Sequence, residues 1–327
     1  MATDFSDTLV IGVSSTALFD LAEADAEFRR YNKTDPNTAV QKYRKYMLEH
    51  ENEVLELGTG MPLATALLNL NKHNRDAKSP LVEVVVMSRN SPETGVRVLN
   101  NIRRLELPIT RYAFTGGESV VDYLDAYDVD LFLTTNVKDA QRVIDGGGCA
   151  AAIVKPPPSE IIKIPEGQVR IAFDGDAVLF DESSEIVFRV KGLKEFHRLE
   201  DKHQDVPMED GPYAVLLRKL ARLQERLPFS VEISPVRIAI VTARDAPAEM
   251  RVINTLRLWG VYVDELFFLG GMDKSKVLQA FRPHIFFDDQ DLHLEDISRA
   301  YPAGKVPTKS GSPLKKKAKT KKNKRKP

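Results

Sequence analysis

A chain of 327 residues, 43% hydrophobic and 29% charged, has the composition of an ordinary globular protein and leaves room for two domains of about 150 residues each. Its 47 basic residues balance 47 acidic ones, and its longest apolar runs, such as Val84–Met87, are the length of strands, which excludes a membrane span. The single cysteine, Cys149, excludes an internal disulfide, and Met1–Asp7 lacks the basic-then-apolar pattern of a secretory signal, so a reducing cytoplasm is the expected compartment.

Read from its start, the chain repeats itself. Ile11-Gly-Val-Ser-Ser-Thr-Ala17 returns as Ile171-Ala-Phe-Asp-Gly-Asp-Ala177 at an offset of 160, and the pair His50 and Gly58 returns as His203 and Gly211 at 153. Val86-Met-Ser-Arg-Asn90 then matches Ile240-Val-Thr-Ala-Arg244 at 154. The same offset places Phe114-Thr-Gly-Gly117 on Phe268-Leu-Gly-Gly271 and Asp130–Asn136 on His284–Gln290. Matches in one order at a nearly constant offset predict two homologous units, 1–165 and 166–308, with Pro156–Pro158 as the stiff linker. In the second unit Val169–Phe173, Arg237–Val241, Glu265–Leu269 and His284–Phe287 read as buried strands. Ala246–Trp259 and Lys274–Phe281 have helical spacing between them. Strands alternating with helices predict an α/β fold with a parallel sheet covered on both faces, whose ligands sit beyond the carboxyl ends of the strands.

Polar residues follow each of those strands. Asp174-Gly-Asp176 sets two carboxylates two residues apart, and its glycine lets the backbone turn close to a phosphate. Thr242, followed by Ala243 and Arg244, offers a hydroxyl and main-chain N–H groups to phosphoryl oxygens. Lys274 opens a helix where its charge can offset phosphate and an attacking aspartate. Asp288 and Asp289 are adjacent acids after a wholly apolar strand, costly unless paired or bound to a cation, and oxygen ligands suit Mg²⁺.

Aspartate-x-aspartate, threonine, lysine and paired aspartate, each after a strand and in that order, resembles the haloacid-dehalogenase (HAD) superfamily. The strings Phe173–Phe180, Val241–Arg244, Arg282–Gln290 and Val13–Asp20 are similar to the cytosolic 5′-nucleotidase I family over about residues 8–307. The resemblance implies two tandem HAD-like, Rossmann-type domains, the second with a cap insertion over about 181–235. It implies a cytoplasmic hydrolase for nucleoside 5′-monophosphates, AMP favoured and IMP and deoxynucleotides allowed. In that reading Asp174 is the nucleophile and Asp176 the general acid and base. Thr242 and Lys274 hold the phosphoryl group, with Ala243, Arg244 and His203 placed toward substrate. Mg²⁺ is held by Asp174, the main-chain carbonyl of Asp176, and Asp288, with Asp289 in support. A phosphatase for another small phosphomonoester and a non-catalytic nucleotide-binding regulator stand as alternatives.

The first unit carries Ser14, Thr16, Ser88, Val120 and Thr134–Thr135 where the second carries Asp174, Asp176, Thr242, Lys274 and Asp288–Asp289. It is expected to be catalytically dead and free to serve as scaffold, regulatory site or the dimer surface of a homo-oligomer. From Lys305 to Pro327 there are eleven basic residues and no acid, leaving 36 basic against 47 acidic elsewhere. Residues 309–327 are therefore expected to form a disordered basic tail. Such a tail binds polyanions weakly at most, and no motif for reading specific nucleic acid accompanies it.

Overall fold

The computed structural model describes residues 5–75, 79–159, 164–165, 167–227 and 234–315. Runs of β-branched and aromatic residues form the strands β1 Leu9–Val13, β2 Val82–Ser88, β3 Arg111–Phe114, β4 Leu131–Thr134 and β5 Ala150–Val154. In the second half follow β6 Val169–Phe173, β7 Val236–Thr242, β8 Glu265–Phe268, β9 Ile285–Asp288 and β10 Ala303–Lys305. Helices α1 Ser15–Leu18, α2 Ala22–Thr34, α3 Ala39–Glu49, α4 Met61–Asn69, α5 Val96–Arg104 and α6 Val137–Gly146 accompany the first five strands. Helices α7 Ser183–Lys191, α8 Leu193–Lys202, α9 Ala214–Arg226, α10 Glu249–Leu258, α11 Ser275–Phe281 and α12 Asp291–Ile297 accompany the rest. The central strands are buried at every residue, so no in–out alternation marks them.

All ten strands join one sheet, in the order β3-β2-β1-β4-β5-β10-β9-β6-β7-β8. Neighbours are parallel except β5 and β10, which pair antiparallel through Gly304 against Val154 and Lys305 against Ile153. Read inward from either edge, each half runs third strand, second, first, fourth, fifth. Separate domains would have exposed two short edges; pairing them closes both. The halves accordingly share one apolar core, which runs from Leu9 to Val306, and Lys219 of α9 reaches across to Asp130 at 2.8 Å. The seam needs its glycine, since a Cβ on Gly304 would come within 2.9 Å of both Ala152 and Phe287.

Two expectations about extent are altered. The stretch 181–235, read as a cap, divides in two: α7 and α8 pair with each other, whereas α9 buries Leu216, Leu217 and Leu220 in the core. A comparable stretch with α2, α3 and α4 stands in the first half, so an insertion there does not distinguish the second. The tail, expected to be loose from 309, is packed as far as Lys315. Its short polar side chains find acids: Ser310 bonds Asp145 of α6 at 2.7 Å and Ser312 bonds Glu182 ahead of α7 at 2.5 Å, while Leu314 is buried. The basic run from Lys316 onward lies outside the described residues. Among the described residues, no helix is long and apolar enough to cross a membrane.

His284 links β9 to β6. Its main-chain N–H donates to the Arg170 carbonyl at 2.7 Å, and its Nδ1 accepts the Arg170 N–H at 3.0 Å. Burial, reinforced by the nearby Arg170 charge, pushes the imidazole down to about 4. Unfolding lets it return to its ordinary value near 6.5, so the neutral ring's contribution is complete above that pH and is lost as pH falls toward 4. We predict that His284→Asn, which keeps an acceptor, removes a pH-dependent loss on the order of 3 kcal/mol between pH 6.5 and 4. Urea unfolding of both proteins across that range checks it; parallel pH profiles would show that His284 does not drive the loss.

Candidate active site

Sheet topology brings the four sequence segments to one place. Asp174 follows β6, with its N–H on the Phe287 carbonyl at 2.8 Å; Thr242 ends β7; Asp288 ends β9; Lys274 stands immediately before α11. The Lys274 ammonium lies between two carboxylates, 2.8 Å from Asp174 Oδ1 and 2.7 Å from Asp288 Oδ2. Thr242 lies against the turn after Asp174, where a Cβ on Gly175 would come within 3.3 Å of its hydroxyl. The Gly175 N–H donates to Asp174 Oδ1 at 2.7 Å and the Gln290 N–H to Asp288 Oδ1 at 2.8 Å, so main-chain donors orient both acids.

Four charged groups are packed here with little water. Burial pushes the Asp174 carboxyl up to about 7, against the pull of Lys274 and with Asp288 adding to the rise. Burial also works to raise Asp288, but the bond from His293 and the charge of Lys274 outweigh it and hold Asp288 below the carboxylate range. Lys274 is held above its ordinary value, because Asp174 and Asp288 more than offset its own burial. Asp289 is pushed up to about 8, by burial first and then by Asp174 and Asp288, and its Oδ1 is buried without a hydrogen-bond partner. Two carboxylates hold the ammonium, and a third carboxyl beside them, Asp289, keeps an orphaned oxygen. This donor set suits a hard divalent cation.

Asp176, two residues past the proposed nucleophile, faces Arg244. The guanidinium donates to both its oxygens, through Nε at 2.8 Å and Nη2 at 2.6 Å. Its Nη1 donates to Glu200 of α8 at 2.6 Å, and the ring of Phe196 lies 5.4 Å beneath. Ala243 is exposed between Thr242 and Arg244, its carbonyl accepting the Gly271 N–H.

His203 is not brought to this cluster. It ends α8, its carbonyl accepting the Val206 N–H, in the turn that Asn254 holds through the Gln204 carbonyl at 3.0 Å. His50 ends α3 in the same way, and Asn100 holds the Glu51 carbonyl. Both histidines are turn residues. Sequence reading passed over three groups that the fold brings in. His293 on α12 places Nδ1 2.9 Å from Asp288 Oδ2, and with Asp174 and Asp288 it offers ligand atoms within 4.8 Å of one another. His197 meets Asp245 at 2.7 Å, and Glu200 meets Arg244. A lone histidine or glutamate on an amphipathic helix carries no signal of which residue it faces.

The 5′-nucleotidase family model matches residues 1–313. The chain belongs to the 5′-nucleotidase family. It is 34% identical over 299 residues to human cytosolic 5′-nucleotidase 1B, covering 90% of this chain and 48% of that protein, so it spans about half the length of that relative. A crystal structure of histidinol dehydrogenase from Elizabethkingia anophelis matches 75% of this chain and 49% of its own at 9% identity and a TM-score of 0.23. That likeness is too slight to bear on the fold.

Within this 5′-nucleotidase family member, the first half builds the same loops around different side chains. Thr115, Gly116 and Gly117 donate to the carbonyls of Ser88, Asn90 and Arg89, as Leu269, Gly270 and Gly271 donate to those of Thr242, Arg244 and Ala243. At the place of the charged cluster is a cavity of about 170 Å³ lined by Ser14, Thr16, Thr134 and Thr135. Ser14, Thr16 and Thr135 form a chain of hydroxyls at 3.1 and 2.6 Å.

Removing Lys274 leaves the buried carboxylates with no cation between them. Lys274→Met should cost on the order of 3 kcal/mol of stability in metal-free buffer. Added Mg²⁺ should restore more of the melting temperature in the variant than it adds to wild type. Unchanged urea unfolding would show that the ammonium does not hold this cluster together.

Proposed function

We propose that this chain is a phosphomonoesterase that hydrolyses nucleoside 5′-monophosphates, AMP above IMP and deoxynucleotides, in the cytoplasm. The observation that carries the reading is the convergence of Asp174, Lys274 and Asp288 at the carboxyl ends of β6 and β9, in a chain of this family. Binding alone needs no buried nucleophile. Asp174 Oδ attacks phosphorus, the bond to the 5′-oxygen breaks, and that oxygen takes a proton from Asp176 as nucleoside leaves. Water then attacks the aspartyl-phosphate, giving its proton to Asp176 and releasing phosphate with the Asp174 carboxylate restored. Lys274 and the Thr242 hydroxyl hold phosphoryl oxygens, where charge must be balanced through both steps. Asp174, Asp288 and the Asp176 carbonyl would hold Mg²⁺, with Asp289 in support; the ion supplies charge neutralisation between nucleophile and phosphate. His293 helps to orient Asp288 through the same oxygen that Lys274 meets.

We read the halves as copies of one unit, of which the second alone keeps the chemistry. Repeated strand order and the paired loop bonds support this. The first half's hydroxyls can neither displace a leaving group at this site nor hold a hard cation in the way paired carboxylates do.

Two measurements test the proposal. Phosphate release from AMP should require Mg²⁺ and stop in excess EDTA; full turnover after verified metal removal would overturn the mechanism. Asp174→Asn should lower kcat by at least about 10³-fold while the protein stays folded. Ser14→Ala, at the matching place in the first half, should change it by less than about twofold. Equal inactivation of both folded variants would show that the first half contributes directly to the site.

A further inference from the structure

The acid–base residue of the proposed reaction is held in a way the reaction cannot use. Both oxygens of Asp176 accept from Arg244. Held in this fashion, Asp176 has both oxygens committed to the guanidinium and neither free for a leaving oxygen beside Asp174. At least one of the two bonds has to open as substrate arrives, and opening it would strand a guanidinium whose side chain is only 2% exposed. A buried cation without a carboxylate is strongly disfavoured, so the grip would not open if Asp176 were its sole anionic partner.

Arg244 has a second anionic partner. Glu200 Oε2 accepts from Nη1 at 2.6 Å, and its side chain is 4% exposed. Its other oxygen is fixed independently, by the Ser184 hydroxyl at 2.8 Å and by Arg251 Nη1 at 3.1 Å. Glu200 therefore stays in place when Asp176 moves and keeps Arg244 charge-paired. Ser184 is on α7, Glu200 on α8 and Arg251 on α10, so these helices are tied to the acid–base residue through one guanidinium.

The first half supplies a comparison within the molecule. Thr16 stands where Asp176 does, and there the partners are missing too: Asn90 matches Arg244 and Met47 matches Glu200. The outer arginine is retained as Arg97, which pairs with Glu53 at 3.0 Å. If the chain served only to fasten α8 to the sheet, the first half would need it equally, since α3 occupies the same place. Arg244 and Glu200 occur only in the half that has an acid to position.

We propose that Glu200 is a positioning residue: it holds the charge of Arg244 so that Asp176 can leave that guanidinium and reach the leaving oxygen. The inference rests on the phosphatase reading above. The test compares AMP with its analogue in which sulfur replaces the bridging 5′-oxygen. In both, Asp174 Oδ forms a bond to phosphorus as the bond to the bridging atom breaks. The departing thiolate needs far less proton assistance than an alkoxide, and kcat/KM reports the step in which the nucleoside leaves. Glu200→Gln should lower kcat/KM for AMP by about tenfold or more, within the range a general acid contributes. For the sulfur analogue it should fall by less than about threefold, because little proton transfer is lost. Asp176→Asn should show the same selectivity, and adding Glu200→Gln to it should lower AMP turnover no further. Ser184→Ala, a milder change to the same carboxylate, should fall between wild type and Glu200→Gln and carries the test if the latter does not fold. Equal losses on both substrates, or no loss on AMP, would overturn the proposal. Wild type inactive on both substrates with Mg²⁺ would overturn the phosphatase reading itself.

Discussion

The Lys274 ammonium between Asp174 and Asp288 is the interaction on which the second half depends. A carboxylate at the end of β6 and another at the end of β9 are neighbours because β6 and β9 are neighbours. Buried side by side, they would repel unless a cation came between them. Lys274 provides that cation from the loop between β8 and α11. Asp289 adds a third carboxyl beside them, with an oxygen that has no hydrogen-bond partner. In the proposed reaction a divalent cation and the phosphate would meet this group.

The seam between β5 and β10 gives this site its setting. Because the fifth strands pair, the two sets of strand ends belong to one rigid sheet, and helices of one half pack on strands of the other: α9 lies against β1, and α4 against β6. Cross-half bonds such as Lys219 to Asp130 and Lys155 to Asp291 accompany a shared apolar core that is continuous. The first half can in this way support the second through packing and seam geometry, whatever side chains stand at its strand ends. Hydroxyls at Ser14, Thr16 and Thr135 bond one another there.

Charge is arranged in two layers around Asp174. The inner layer holds Lys274 and Asp288. The outer layer runs from Asp176 through Arg244 and Glu200 of α8 to Arg251 of α10. Each layer alternates sign, which is the arrangement that keeps several buried ions tolerable at once. Asp176 is the member that has to change partners in the proposed reaction, and it is the most exposed of its layer, at 18% against 14% for Arg251.

Much was legible in the amino-acid order alone. Strand-length apolar runs ending in Asp174, Thr242 and Asp288 marked the parallel sheet and the strand ends where those residues gather, because a buried strand is recognisable by its apolar run. Offsets between Ser14 and Asp174, or Ser88 and Thr242, anticipated that the two halves would share one strand order. What tertiary structure decided was everything that depends on a partner distant in the chain. The merging of two sheets through Gly304, the packing of Ser310–Lys315 on α6 and α7, and the removal of His203 to a turn could not be read from local pattern. Nor could the recruitment of His293 and Glu200. Periodicity reports whether a residue is buried; which charge it meets there is set by how helices dock, and only the folded chain brings Glu200, Arg244 and Asp176 into one line.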